Sequence, residues 1–161
     1  MTDGELRLRN NTKRFIWWTG LLLFFLYLLL LIYFLFFSEG FGRTLETGRR
    51  FRYNLVPFLE IRRFWKYRET LGTRSVYINL FGNILGFVPY GMILPVILPK
   101  MRQGFLVVLS GLMLSLGVEV LQLVTGAGCF DVDDLLLNSL GAFVGYLIFM
   151  LLNKMRKVHY G

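Results

Sequence analysis

Cysteine and histidine are almost missing from this chain of 161 residues. The one cysteine, Cys129, excludes an internal disulfide framework. The one histidine, His159, falls in the C-terminal tail, which argues against a His/Cys metal site or a Ser-His-Asp triad. No metal or cofactor is expected. Charge is scarce too: charged residues make up 17% of the chain and apolar residues 55%. A protein this small cannot hide so much apolar surface from water, which excludes an ordinary soluble domain. Acids are scarcer than bases, 10 against 18, for a net charge of +8. In a soluble protein that balance would suggest nucleic acid. Here the bases sit beside hydrophobic runs, so membrane lipids are the expected partners and nucleic acid is not.

What is abundant is uncharged apolar sequence of membrane-spanning length. After a basic tail (residues 1–14), Phe15 to Phe37 runs without a charge. At 1.5 Å per residue this covers about 35 Å, enough to cross a bilayer with some tilt. Trp17, Trp18 and Tyr33 near its ends suit an aromatic belt. The run is too long for a signal peptide and lacks a small-residue cleavage site, so it reads as a retained anchor. Residues 77–152 hold three more spans: 77–98, kinked by Pro89 and Pro95, then 104–124 and 135–152. A basic tail, residues 153–161, follows. The expected fold is an all-α membrane bundle of about four transmembrane helices.

The long connection, residues 38–76, is a basic interfacial segment with aromatics interleaved. From Pro57 on, Phe58, Ile61 and Trp65 recur at helical spacing, with Arg62, Arg63 and Lys66 elsewhere on the wheel. This predicts a short amphipathic helix in the interface, aromatics down and arginines up. With four spans, each side of the membrane carries nine bases. The orientation with both termini in the cytoplasm is preferred because bases abut the spans at three junctions on that side.

Polar residues inside hydrocarbon are costly, so their placement is informative. Asn79, Gly82, Asn83, Gly86 and Tyr90 share one helical face; so do Gly111, Ser115, Glu119 and Gln122; so do Asp134, Asn138, Gly141 and Gly145. The glycines read mainly as helix packing. The amides read equally as interhelical glue or as a binding site. An ionised Glu119 at depth would cost roughly 2.5–3.5 kcal/mol, so it must be protonated, paired or wet, with Arg74 or an amide as candidate partner. Asp131 or Asp133 also suits a helix N-cap. Chain direction brings these groups together: the second and fourth spans begin, and the third ends, on the side that carries the basic segment. A polar pocket open to one face is expected.

Four blocks carry a family resemblance: Asn54-Leu-Val-Pro57-Phe58; Asn79 through Gly91; Ser115-x3-Glu119-x2-Gln122; and Phe130-Asp131-Val-Asp133-Asp134-x3-Asn138-x2-Gly141-x3-Gly145. In this order and spacing the chain resembles the VanZ-like family of bacterial membrane proteins. The resemblance implies an association with reduced susceptibility to teicoplanin and a role near the cell envelope. One departure is Gly128, where many members carry arginine.

Two functional classes stand at this point, with a third reading as a structural subunit of an envelope complex. One is a non-catalytic protein that binds an amphiphile: a lipid-linked wall precursor, a phospholipid or a lipoglycopeptide. Its binding residues would be Asn79, Asn83, Glu119, Gln122, Asp131, Asp134, Asn138, Arg62, Arg63 and Arg74. The other is an intramembrane enzyme with Glu119 and Asp134 as acid and base. The absence of an obvious nucleophile favours the first.

Overall fold

A computed structural model describes residues 3–37, 53–67, 73–126 and 128–160. Its helices are α1 (Asp3–Phe37), α2 (Leu59–Lys66), α3 (Thr73–Ile97), α4 (Gly104–Thr125) and α5 (Val132–Tyr160). A 3-10 turn, Pro99–Met101, joins α3 to α4. Two short strands, β1 (Tyr53–Asn54) and β2 (Phe130–Asp131), pair in parallel. Four of the helices are long and apolar enough to cross a membrane, and the protein is a multi-pass membrane protein. The basic N-terminal tail is not separate from the first span: from Asp3 onward it is the opening of α1.

The centre of the bundle is the α3–α5 seam, and glycine builds it. A Cβ added at Gly141 would stand 2.1 Å from the Ile84 carbonyl oxygen, and one at Gly145 would stand 2.1 Å from that of Val88. At Gly91 it would lie 1.9 Å from the Ala142 carbonyl oxygen. Backbone therefore rests on backbone, which only residues without a side chain permit; in lipid, where no hydrophobic drive pulls helices together, this close packing is a main source of association. Beside the seam lies a small core of Phe87, Tyr90, Leu94 and Ala142. Phe24, Tyr27 and Leu31 of α1 close it from one side. Most other large apolar side chains face outward, where lipid would solvate them.

Helix α3 continues through Pro89 and Pro95 without ending at either. Its far end shows how a proline-rich terminus is satisfied. The Pro95 carbonyl would normally accept from residue 99, but Pro99 has no N–H. The Arg102 side chain donates to it instead, Nε to oxygen at 3.4 Å. The Ile97 carbonyl accepts from the Trp17 indole N–H at 3.1 Å, which pins α1 to the end of α3. The Tyr146 hydroxyl donates to the Arg102 carbonyl at 2.9 Å, tying α5 to the same turn.

The short amphipathic helix expected after Pro57 is present as α2. The side it turns to the bundle is made of Glu60, Ile61 and Phe64, which are partly covered. Trp65 and Phe58 are 66% and 55% exposed, on a rim with Tyr53, Leu55 and Val56.

Candidate functional site

The site forms where α3 and α5 begin and α4 ends. It starts with the Gly126 turn, whose positive φ of 70° ends α4 and lets the chain reverse. Seven residues back, in α4 (about 10 Å along its axis), Glu119 is buried, and one of its carboxylate oxygens accepts the backbone N–H of Asp131 at 2.9 Å. This bond folds the acidic loop back onto α4. Gln122, one turn later, is also buried. Gly128 lies over it, so a Cβ at 128 would come within 3.3 Å of the Gln122 side chain.

Asp131 is the N-cap of its own helix: its Oδ1 accepts the backbone N–H of Asp133 at 2.8 Å. The same oxygen accepts from the Asn54 side chain at 3.2 Å, across the β1–β2 pair that sets Asn54 beside Asp131. Burial pushes the Asp131 carboxyl up to about 6. The Asp133 amide opposes that rise, the carboxylates of Asp133 and Glu60 add to it, and the Asn54 amide opposes it.

Asp133 caps a different helix. Its carboxylate is 1% exposed and accepts three backbone N–H groups of the α2 start: Phe58, Glu60 at 2.9 Å and Ile61 at 3.1 Å. Phe58 takes the left-handed conformation, φ 64°, which is uncommon for a side chain of this size. The amides that α2 cannot satisfy itself are thus met by an acid more than 70 residues later in the chain. Asn54 prepares this turn by accepting the Val56 N–H on its own side-chain oxygen at 3.1 Å.

Deeper in the bundle, the Asn83 side chain on α3 donates to Asp134 on α5. Asn138 donates to the Ser115 hydroxyl at 2.8 Å, joining α5 to α4. Both residues are almost fully buried, and Asn138 Oδ1 has no partner among the described residues.

The structure brings together Asn83, Glu119, Gln122, Asp131, Asp134 and Asn138. It does not gather Arg62 and Arg63 with them. Both are exposed on α2, and Arg63 pairs with Glu60 at 2.8 Å. The side chains of Arg74 and Asn79 lie outside the described residues. Two residues that the sequence reading left off the site hold it together: Asn54 and Asp133. The Asn-x-x-Pro turn was a visible signal for Asn54. For Asp133, own-helix capping was the natural expectation, and its actual partner is distant in sequence. A shallow apolar concavity of about 520 Å³ lies elsewhere, against Trp18, Leu21, Leu22, Phe24, Phe25 and Leu28 of α1, and no candidate site residue lines it.

A known family matches most of the chain: the VanZ/LLP1 model covers residues 24–153. The chain belongs to the VanZ/LLP1 family. Protein VanZ from Enterococcus faecium is 32% identical over 77 residues, 47% of this chain and 47% of that protein. The aligned stretch thus spans about half the length of this relative. No solved structure matches. The VanZ/LLP1 match takes in α1 from residue 24 on, α2, the glycine seam and the whole acidic junction.

Proposed function

We propose that this protein lies in the bacterial cytoplasmic membrane with both termini in the cytoplasm and binds the headgroup of an amphiphilic envelope molecule at the acidic junction. The ligand class is a lipid-linked wall precursor, a phospholipid or a lipoglycopeptide, and the effect in the cell is lower susceptibility to teicoplanin. The observation that carries this reading is the convergence of Asn83, Ser115, Glu119, Asp131, Asp134 and Asn138 from three helices at one end of the bundle. The opposite ends of the spans have no such cluster among the described residues. Asn138 Oδ1 is a spare buried acceptor for a ligand N–H or O–H. Arg62, Arg63 and Lys66, exposed on the neighbouring helix, suit phosphate or carboxylate.

The placement of bases at the span ends supports this orientation. Lys13, Arg14, Lys100, Arg102, Lys154 and Arg156 flank the ends of the spans remote from the junction, which favours the cytoplasm for that side. The junction then faces the outer leaflet, where wall precursors are displayed and glycopeptides act.

The test is binding of purified protein in nanodiscs to a lipid-linked wall precursor, phosphatidylglycerol and teicoplanin, together with teicoplanin susceptibility of a sensitive host expressing it. Preference for one headgroup, reduced in an Arg62→Ala/Arg63→Ala variant and in Asn138→Leu, supports the reading. Equal binding of all three by every variant, with unchanged susceptibility, refutes it.

A further inference from the structure

Helix α1 packs on the bundle along one side. Trp17 is pinned to the Ile97 carbonyl, Gly20 lies against Val96 and Ile97, the Phe24 ring stands 5.9 Å from that of Tyr90, and Leu31 meets Gly86. On its other side Trp18, Leu22 and Phe25 are 59%, 58% and 59% exposed and wall the concavity of about 520 Å³ that runs to Leu28. That volume falls within the roughly 300–1,000 Å³ of small-molecule sites, and the lining is apolar. Arg14, Trp18, Leu21, Phe25 and Leu28 stand at offsets 0, 4, 7, 11 and 14, so the arginine heads the same helical face.

We propose that this face of α1 binds one anionic phospholipid, with an acyl chain along the groove and the phosphate at Arg14. The site is separate from the acidic junction, at the opposite end of the bundle, and does not rest on the ligand proposed there. Length selects a lipid chain over a partner helix. From Trp18 to Leu28 the groove runs about 15 Å along the axis. The hydrocarbon core of a bilayer is about 30 Å thick, so the groove has the depth of one leaflet, whereas a second helix would need a seam through both.

The chemistry at the mouth of the groove suits a phosphate. The Trp17 bond sets this turn level with the end of α3 and the Pro99–Met101 turn, where the spans end. Arg14 is exposed one turn further out and forms no ion pair among the described residues. A guanidinium can give a phosphate two parallel N–H bonds. Trp18 adds a donor: Trp17 uses its indole N–H on Ile97, but that of Trp18 meets no acceptor among the described residues. The edge-to-face contact of the two indoles, centroids 4.9 Å apart, holds Trp18 in place. Charge selects an anionic lipid. Lys13, Arg14, Lys100, Arg102, Lys154 and Arg156 flank this end of the spans, and residues 11–20, 98–104 and 153–161 contain no acid.

The experiment is native mass spectrometry of the full chain released from nanodiscs that hold equal amounts of phosphatidylglycerol and phosphatidylcholine with the same acyl chains. Among complexes with one lipid, phosphatidylglycerol should exceed phosphatidylcholine about fivefold, the effect of one base near an anionic headgroup. Arg14→Ala should bring the ratio close to one, and Arg14→Lys should largely keep it. Leu22→Trp, a change at an exposed position that fills the groove, should lose the retained lipid. Lys154→Ala, at the same level but off α1, and Arg62→Ala/Arg63→Ala, beside the junction, should leave the ratio unchanged, which separates this site from the one proposed there. Equal retention of both lipids by the unmodified chain overturns the proposal. So does a ratio that Arg14→Ala leaves unchanged, or that Lys154→Ala lowers as much. Lipid retention unaffected by Leu22→Trp also overturns it, as does a dimer that this variant abolishes, which would assign the groove to a second copy of the chain.

Discussion

Gly141→Ala adds a single methyl group to the tightest contact in the bundle. Where the new Cβ would stand, the Ile84 carbonyl oxygen is 2.1 Å away and the carbonyl carbon 2.9 Å. Ordinary contact begins at 3.4 Å, so α3 and α5 must part by about 1 Å. Neither neighbour is a flexible side chain, and a helical carbonyl cannot turn aside without breaking its own ladder. Separation at Gly141 also loosens Gly145 against Val88 one turn on and lengthens the Asn83–Asp134 bridge. Overpacking of this kind costs about 1–3 kcal/mol, and a backbone obstacle places this site near 3. Alanine returns roughly 0.5–1 kcal/mol of helix preference, leaving a net loss of about 2 kcal/mol. For a chain of this length that lowers the melting temperature by about 4–8 °C. Gly117→Ala is the matched control, because nothing lies within 4 Å of its added carbon. It should be neutral or slightly stabilising. Thermal unfolding of both variants in one detergent, followed by circular dichroism, makes the comparison. Equal melting temperatures for the two would refute the backbone-contact argument.

Asp133→Ala should release the start of α2 while leaving the spans folded. Three amides lose a charged acceptor and regain water, a local loss of about 2–4 kcal/mol, read as faster exchange at Phe58, Glu60 and Ile61 against unchanged α4. A double-mutant cycle on Asn83→Ala and Asp134→Ala should return a coupling of about 0.6–1.7 kcal/mol in thermal unfolding, the range for hydrogen bonds between membrane helices; zero coupling would mean that the bridge is not formed. Trp17→Phe keeps the ring but removes the donor to the Ile97 carbonyl, and should cost about 1 kcal/mol, seen as a melting temperature lower by about 2–4 °C.

Much of this arrangement was legible in the sequence because hydrocarbon tolerates so few polar choices. The stripe Gly111, Ser115, Glu119 and Gln122 is buried as a set, and Asp134, Asn138, Gly141 and Gly145 face their neighbours along one side of α5. The period of a helix suffices to find such faces. The stripe on α3 divides instead: Asn83 meets α5, whereas Gly86 lies against Leu31 of α1. A helix wedged between two others has two inner faces, and a single stripe cannot name which neighbour each residue meets. The wheel of α2 was legible in outline only. Its covered side is Glu60, Ile61 and Phe64 because the Asp133 cap fixes the roll of the helix, and that acceptor lies far away in the chain. Asp131 and Asp133 show the same limit: two acids in one loop have equal claim to one cap until tertiary contacts give each a different set of amides.

The bonds between the first connection and the last helix also impose an order on biosynthesis. Asn54 and Phe58 leave the ribosome more than 70 residues before Asp131 and Asp133 exist. During that interval the amides at the start of α2 have no carboxylate to meet and must be held by water or headgroups. The final hairpin must be in place before the β1–α2 segment can dock on it, so these bonds form only after the last span is made.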